Sequence, residues 1–389
     1  MDRTVNLLTA SIDQQERDLQ QAVRSYLDAE VSPRVGDWEQ QREFPWGLLA
    51  ALYDFGYVRG VVPEHHGGYQ TTHLQQAVLM EEAGRCWGSL RTTVNVQAMV
   101  ARLLSVAGDD AQRARYLTPL LAGRRFGWFG MTEPDAGSDA GSMRTTARRA
   151  GDGWVITGRK LYITNALSCD FGILLARVTG EEPGGITAFL VENEAAEFGV
   201  TDIPHMPVRA TSSCELAFDG TVVGDSNRLG GVGEGLRLAM NVVNLGRLNV
   251  SAGSVGLAQA CLELSVSFAR QREQFGRPIA GFQLVQQMIV EIATLTQTAR
   301  LLALDAARQL DAGVPSARTA CSMAKLYCGE AANRAATLSL QVHGGAGLME
   351  ESPVERYFRD AREATIPEGT SQIQILQIGK ALLGISAMR

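Results

Sequence analysis

The sequence lacks a strong charge of either sign, because 36 Lys and Arg residues nearly balance 42 Asp and Glu residues and the net charge is -6. This balance gives no electrostatic reason to bind nucleic acid or an anionic membrane. No apolar run approaches the roughly 20 residues of a membrane span. The N-terminal residues also lack a signal-peptide pattern. We therefore expect a cytoplasmic protein that binds neither nucleic acid nor membrane.

Cysteine and histidine are sparse and scattered, with six and five residues in the chain. No two cysteines form a C-x-x-C pair, and no cysteine is spaced from a histidine as metal ligands typically are. We therefore expect no metal site and six reduced cysteines that pack as small buried side chains. The six are Cys86, Cys169, Cys214, Cys261, Cys321 and Cys328.

The pattern that the sequence does contain changes twice along the chain and predicts three domains of an α+β protein. Residues 1–125 show helical periodicity interrupted by Gly and Pro, so we expect an N-terminal helical domain. Residues 126–232 hold short β-rich runs between Gly, Pro and Asp turns, typical of a small barrel or sandwich. Residues 233–389 predict a C-terminal four-helix bundle, with long apolar helices over 236–271, 282–310, 317–342 and 371–383.

Near the end of the chain, Glu368 is a candidate catalytic carboxylate. Gly369 follows it and allows a sharp turn, and Thr370 can cap the last helix. An acid presented on such a turn can reach a substrate proton as a general base. The same residues also fit a capping box, Thr365-x-x-Glu368, in which the carboxylate only bonds a helix N-terminus. The turn alone leaves both interpretations open.

Five segments, in register over nearly the whole chain, resemble the acyl-CoA dehydrogenase family. That family has a helical domain, a β domain and a helical bundle in this order, which agrees with the pattern above. The segments are residues 129–139 (FGMTEPDAGSD), 158–166 (GRKLYITNA), 272–283 (REQFGRPIAGFQ), 341–347 (QVHGGAG) and 368–371 (EGTS).

The resemblance implies FAD as the cofactor, with flavin contacts in the β domain. Met131 and Thr132 would bond the flavin ring, and Ser138 would lie beside the pyrophosphate. Tyr162 stands where the family usually has a Trp near the ring, and Thr164 would bond close to the reactive nitrogen. Ordinary turn chemistry is the alternative explanation for the loop that contains Met131, Thr132 and Ser138.

The other implied FAD contacts lie in the C-terminal part. In the family, one of these segments reaches the FAD of a neighbouring subunit, so the resemblance implies a homotetramer built as a dimer of dimers. An arginine can bond pyrophosphate with two donors, although a solvated helix-end arginine is the alternative for Arg272. The implied residues are Arg272, Phe275, Gln283, Gln341, Gly344, Gly345, Thr370 and Gln372.

The implied reaction is α,β-dehydrogenation of a short acyl thioester. Glu368 would remove the α-proton while a hydride passes to flavin N5. The family also places its base directly before the arginine of the long helix, and that position is Gly246, before Arg247. Because glycine carries no carboxylate, Glu368 is the base that the family pattern offers. A flavin-dependent oxygenase or a non-enzymatic binding protein on this scaffold is disfavoured by Glu368 and by the FAD segments.

The resemblance leaves the substrate open, and it implies Arg91, Ser138, Arg247 and Gly369 as substrate-binding residues. The segment 90–97 (LRTTVNVQ) is similar to one in glutaryl-CoA dehydrogenases, where the arginine pairs with a distal carboxylate. It is also similar to one in polyketide-pathway dehydrogenases that act on carboxylated or hydroxylated extender units held by carrier proteins. A local salt bridge is the alternative for Arg91.

A second feature bears on the substrate. Pro367 departs from the Tyr that is common before the base, and this puts the glutaryl assignment in doubt. The thioester carrier, coenzyme A or a carrier protein, stays open. The electron acceptor, such as an electron-transferring flavoprotein, stays open as well.

Overall fold

The computed structural model describes residues 12–388 and confirms the order of helical, β and helical parts. The capping box that the sequence suggests at Ser11 and Gln14 has its first residue outside the described residues. In the structure Asp13 caps the first helix, and Glu16 completes the capping box. The helices of the N-terminal part are α1 Gln14–Tyr26, α2 Val35–Gln41, α3 Leu48–Asp54, α4 His73–Cys86, α5 Gly88–Ala107, α6 Asp110–Gln112 and α7 Thr118–Leu121.

The middle part is one eight-stranded sheet in the order β6-β7-β3-β2-β4-β5-β8, with β1 paired to β4. β1 and β2 run parallel to β4, and the other pairs are antiparallel. Its core contains the buried rings of Trp128, Trp154 and Phe189. The strands are β1 Gly127–Gly130, β2 Thr146–Ala150, β3 Gly153–Thr164, β4 Phe171–Thr179, β5 Gly185–Glu192, β6 Gly199–Asp202, β7 Ser213–Gly224 and β8 Arg228–Leu229.

The C-terminal part is the expected bundle, in which α8, α9 and α10 pack together and α12 packs on α10. A short hairpin of β9 and β10 joins α8 to α9. Helix α11 was not among the helices predicted from the sequence. The elements are α8 Gly235–Gln271, β9 Glu273–Gln274, β10 Arg277–Pro278, α9 Gln283–Asp311, α10 Ala317–His343, α11 Pro353–Glu363 and α12 Ser371–Leu383.

Helix α8 is the centre of the molecule, and glycines let α4 approach it closely. A Cβ at Gly256 would lie 1.8 Å from the carbonyl oxygen of Glu81, and a Cβ at Gly84 would lie 2.0 Å from that of Gly253. Only glycine permits such backbone contact. This contact fixes the N-terminal domain, including α5, against the middle of α8.

By length and composition α8 could also cross a membrane, which the sequence inspection did not predict for any segment. Within the described residues, 72% of its most apolar window is buried inside the protein. Its apolar surface is therefore used in packing against α4, α9 and α10.

Candidate active site

Glu368 lies on the tight turn between α11 and α12. Its φ is +57°, in the left-handed region that side-chain-bearing residues rarely adopt, and Gly369 follows with φ +91°. The Thr370 hydroxyl accepts from the amide of Ile373 and is the N-cap of α12. The hydroxyl of Thr365 donates to the carbonyl of Arg362. Since Thr370 occupies the N-cap position of α12, the capping-box interpretation of Thr365 and Glu368 does not apply.

The carboxylate of Glu368 faces a gap in α8 that Gly246 creates. A Cβ at position 246 would lie 2.5 Å from Cδ of Glu368, so any larger residue would collide with the acid. Arg247, the next residue, is buried, and its Nε donates to the carbonyl of Glu368 at 3.4 Å. Positions 368 and 246, the two places where the family pattern puts its base, therefore face the same space.

The surroundings of Glu368 raise the pKa of its carboxyl to about 7. Burial is the largest cause, because a carboxylate loses hydration there. Arg247, a hydrogen bond from Asn95 and the charge of Lys325 oppose the shift, while Glu363 adds to it. A carboxyl that titrates near neutral pH suits a general base.

Sequence reasoning missed three polar side chains around this turn, two of which bond its backbone. Lys325 of α10 donates to the carbonyl of Gly369 at 2.7 Å. Gln374 of α12 donates to the carbonyls of Glu368 and Gly369 at 3.0 and 2.9 Å. Asn95 of α5 accepts from the side-chain amide of Asn249 on α8 at 2.9 Å. The scarcity of lysine, three residues in the chain, was the signal that could have identified Lys325.

The structure places Arg91 near this site, but its guanidinium is already paired. Arg91 is buried on α5 and forms an ion pair with Glu363 at the end of α11. The hydroxyl of Thr92 contacts the same carboxylate at 3.5 Å. The ion pair joins residues 272 positions apart. The substrate role predicted for Arg91 stays a prediction, and its carboxylate partner in the free protein is Glu363.

A second group of the predicted residues comes together at one edge of the β domain. The carbonyl of Thr132 accepts from the amide of Leu161 at 2.9 Å, which joins the loop after β1 to β3. A β-bulge between Lys160 and Ile163 places Tyr162 at φ +58° with 64% of its surface exposed. Bulges commonly redirect a side chain in this way. Met131 and Thr132 are half-buried beside it, Ser138 is exposed, and Thr164 ends β3.

Lys160 supports that edge from inside. Its side chain is fully buried, and Nζ donates to the Glu133 carboxylate at 2.7 Å and to the carbonyl of Met131 at 3.1 Å. Glu133 also accepts from the amides of Arg144 and Thr145. Neither member of this ion pair was predicted as functional from the sequence.

A third group lies around the far end of the bundle. Ile279 of the hairpin region packs with Val342 of α10 and Ala269 of α8. This contact brings the hairpin next to the end of α10, where Gly344 has φ +56°. Phe275 is at the hairpin tip with 94% exposure. The predicted residues gathered here are Arg272, Phe275, Gln283, Gln341, Gly344 and Gly345, while Thr370 and Gln372 follow Glu368 at the start of α12.

A cavity of about 290 Å³ opens beside α10 and α12. One of its lining residues, Ser322, accepts a hydrogen bond from Arg247 at 3.3 Å. Arg318 and Lys380 give it two cations. The lining residues are Arg318, Thr319, Ser322, Gln377, Lys380, Ala381 and Met388.

Known proteins are similar in sequence to this chain over nearly its full length. An acyl-CoA dehydrogenase of Bacillus subtilis (strain 168) is 35% identical over 377 residues, covering 96% of this chain and 99% of the relative. The CarC subunit of the caffeyl-CoA reductase-Etf complex of Acetobacterium woodii is 34% identical over 374 residues, covering 95% and 98%.

Solved structures share the fold. Glutaryl-coenzyme A dehydrogenase in its glutaryl-CoA complex has a TM-score of 0.91 and 32% identity over 96% of both chains. A glutaryl-CoA dehydrogenase of Mycobacterium smegmatis in complex with FADH2 has a TM-score of 0.91 and 30% identity over 97% of both. The prolyl acyl carrier protein oxidase AnaB has a TM-score of 0.89 and 28% identity, covering 96% of this chain and all of that one.

Family models match successive parts of the chain. The acyl-CoA dehydrogenase N-terminal domain matches residues 13–124, the middle domain 128–221 and the C-terminal domain 233–383. Together with the relatives above, these matches show that the chain belongs to the acyl-CoA dehydrogenase family, whose members are FAD-dependent oxidoreductases.

Proposed function

We propose that this protein is an FAD-dependent dehydrogenase that introduces a Cα–Cβ double bond into a short acyl thioester, with Glu368 as the base. The observation that carries the proposal is the Glu368 carboxylate, which faces Gly246 and lies beside Arg247. No second carboxylate can share that gap on α8, because position 246 has no side chain.

The described residues fit a flavin at the edge of the β domain. The exposed ring of Tyr162, placed by the bulge in β3, offers a flat apolar surface. Thr132 and Thr164 supply hydroxyls on the two segments that the bond from Leu161 to Thr132 joins. FAD, when bound, supplies the acceptor for the hydride.

The chain's own contribution to the reaction is the removal of the α-proton. At neutral pH a pKa of about 7 leaves a large fraction of Glu368 ionised, and the remaining basicity favours proton transfer from carbon. The left-handed turn directs the carboxylate toward α8 rather than along a helix face. A bound acyl chain would exclude water from this space and strengthen the base further.

The acyl group that best fits is uncharged at its distal end. The guanidinium of Arg91 is compensated by Glu363, so a dicarboxylic substrate would have to displace that carboxylate. The structural neighbour in complex with glutaryl-CoA supports a carboxylated acyl group as the alternative. A hydroxylated acyl group can bond the same pair without displacing it, and this supports the polar alternative as well.

The thioester carrier we propose is the phosphopantetheine arm that coenzyme A and carrier proteins share. The cations Arg318 and Lys380 in the cavity beside α10 suit phosphate groups. Relatives named for CoA substrates and a neighbour named for an acyl carrier protein support both sources. The relative from an Etf complex supports an electron-transferring flavoprotein as the acceptor.

We also propose a homo-oligomer, the homotetramer implied by the resemblance, in the cytoplasm. Arg272 lies 25 residues after Arg247 on α8, which at 1.5 Å per residue is about 37 Å from the base. The exposed tip at Phe275 therefore suits the cofactor of another subunit. This placement supports a FAD site completed by a second copy.

The test is anaerobic mixing of the FAD-loaded protein with butyryl-CoA while flavin absorbance is followed. We expect rapid bleaching in the wild type and a loss of about 10²–10⁴-fold in Glu368→Gln, because the general base is gone. Retained FAD and retained butyryl-CoA binding in the variant would separate chemistry from folding. Wild-type bleaching by Glu368→Gln would exclude this residue as the base.

The matched control is Glu350→Gln, a glutamate with an 80% exposed side chain that contacts Arg209. It should bleach at the wild-type rate. The same assay with butyryl, 3-hydroxybutyryl and glutaryl groups, each on coenzyme A and on a carrier protein, ranks the substrates. Incorporation of oxygen into a substrate by the reduced flavoprotein in air would favour the oxygenase alternative.

A further inference from the structure

Lysine is rare in this protein, and one of its three lysines is buried beside the candidate base. The chain has Lys160, Lys325 and Lys380 against 33 arginines. Lys325 lies on α10 with no exposed surface. Burying an ammonium costs free energy unless it is paired or hydrogen-bonded, so such a residue needs a compensating role.

The direct contact of Lys325 is with the backbone of the Glu368 turn. Its Nζ donates to the carbonyl of Gly369 at 2.7 Å. Across residues 12–388, no carboxylate oxygen lies within 4 Å of this ammonium. The charge is therefore held close to the turn without being cancelled by an adjacent ion pair.

Donors from three helices converge on the carbonyls of this turn. Besides Lys325, Gln374 donates to both carbonyls, and Arg247 donates to that of Glu368. Glu368 needs this support because its left-handed φ costs about 1–2 kcal/mol for a residue with a Cβ. Bonds to the carbonyls on either side of Gly369 restrain the peptide rotation that would release that strain.

We propose that Lys325 is a positioning residue for the base: it anchors the turn that carries Glu368 and supplies a positive charge that favours the ionised carboxylate. This inference rests on the proposed function of Glu368. Gln374 and Arg247 share the anchoring role, and Arg247 shares the charge. The particular contribution of Lys325 is that both effects come from one buried ammonium on α10.

The charged groups around the site agree with this role. Glu368 is surrounded by Arg247 of α8, Lys325 of α10, Glu363 of α11 and the amide of Asn95 on α5. Lys325 in turn interacts electrostatically with Glu368, Glu363, Arg247 and Glu330. Burial lowers the pKa of Lys325 to about 8, and the Glu368 carboxylate opposes that decrease. The ammonium is therefore mostly protonated at neutral pH, when the base must be ionised.

The test compares Lys325→Met with Gln374→Leu in the FAD-loaded protein. Both remove a donor from the carbonyl of Gly369, but only the first removes a charge. The readout is the pH dependence of anaerobic flavin reduction by butyryl-CoA. We expect the apparent pKa of the base to rise by about one unit in Lys325→Met. Gln374→Leu should lower the rate at every pH without moving the pKa.

A second readout needs no substrate. An infrared pH titration follows the carboxylic-acid band that disappears in Glu368→Gln, and it should show the same upward shift in Lys325→Met. Lys325→Arg, which keeps the charge, should leave the pKa near its wild-type value. If Lys325→Met does not fold, Lys325→Gln takes its place with the same expected shift.

The outcomes separate the two claims. Equal pKa values for Glu368 in the wild type and the neutral Lys325 variants would overturn the charge role. Unchanged rates in those variants at every pH would overturn the anchoring role. If Glu368→Gln still bleaches the flavin, the proposed function fails, while the infrared titration still decides whether Lys325 favours the ionised carboxylate.

Discussion

Two buried lysines support the two halves of the candidate site, and they do so differently. Lys160 in the β domain donates to the carbonyl of Met131 and also pairs directly with Glu133 at 2.7 Å. Lys325 in the bundle donates to the carbonyl of Gly369, and its nearest carboxylates are farther than 4 Å within the described residues. Burial lowers the pKa of each lysine to about 8.

The difference indicates what each charge does. The charge of Lys160 is compensated by its neighbour, so its effect is local and structural: it fixes the loop predicted to bond the flavin. The charge of Lys325 is shared between more distant carboxylates, so it can act on the ionisation of Glu368. Lys160 therefore supports the loop structurally, while Lys325 influences the ionisation of the base.

The largest expected effect comes from breaking the β-domain pair. Lys160→Met leaves the Glu133 carboxylate buried without its cation, and the loss of one partner of a buried ion pair costs about 3–5 kcal/mol. We expect that loss in the free energy of unfolding measured in urea, together with reduced FAD content. Lys325→Met should lose less stability, because it leaves no directly paired carboxylate.

The double variant Lys160→Met/Glu133→Gln is the matched control. Its amide oxygen can still accept from the backbone amide of Arg144 or from that of Thr145, and no charge remains unpaired. Part of the stability should return. Equal stability of Lys160→Met and Lys325→Met would remove the distinction between the two lysines.

The long helices of the fold could be predicted because their signals are local. Periodic apolar residues and the cap at Thr370 placed α8, α9, α10 and α12 to within about two residues. The short strands β1, β2 and β6 and the helix α11 were not predicted. Their four to eleven residues carry too little pattern, and pairing partners such as β4 for β1 lie far away in sequence.

The next largest effect is on the stability of the protein when Glu368 is replaced. It contrasts Glu368, which has no directly paired cation among the described residues, with Glu133, which is paired with Lys160. The raised pKa of Glu368 means that the folded protein binds a proton more tightly than the unfolded chain between about pH 4.5 and 7. Stability contributed by this group therefore falls as pH rises through that window. Glu368→Gln should be more stable than the wild type by about 3 kcal/mol at pH 8.

That gain should shrink toward zero below pH 4.5, where the wild-type carboxyl is protonated in both the folded and the unfolded state. Urea unfolding at several pH values measures it. A gain that is independent of pH would mean that burial does not shift the pKa of Glu368. The corresponding change Glu133→Gln should destabilise the protein at pH 8, since it breaks an ion pair.

The smallest effect tests the neighbouring ion pair. Glu363→Gln removes a negative charge that raises the pKa of Glu368, so the apparent pKa of flavin reduction should fall by about half a unit. It also frees Arg91 for a substrate carboxylate. Relative to butyryl-CoA, we expect glutaryl-CoA to gain about fivefold in rate. If the ratio of the rates with glutaryl-CoA and butyryl-CoA does not change, Arg91 does not contact the acyl group.

The sequence nominated the candidate residues of the site, but it did not indicate the electrostatics around them. Glu368, Gly246 and Arg247 were identified from motifs and their order. The partners of the base depend on which faces of α5, α10 and α11 meet, and this is a property of the packed fold. The ion pair of Arg91 with Glu363 spans 272 positions, so no local pattern could have indicated it.

The most direct test of the account is the pH dependence of anaerobic flavin reduction by butyryl-CoA in the wild type and in Glu368→Gln. We predict a rate that rises with pH through an apparent pKa near 7 in the wild type, because Glu368 must be ionised to accept the α-proton. The variant should show neither the rate nor the inflection. The same inflection at the wild-type rate in Glu368→Gln would contradict the assignment of Glu368 as the base.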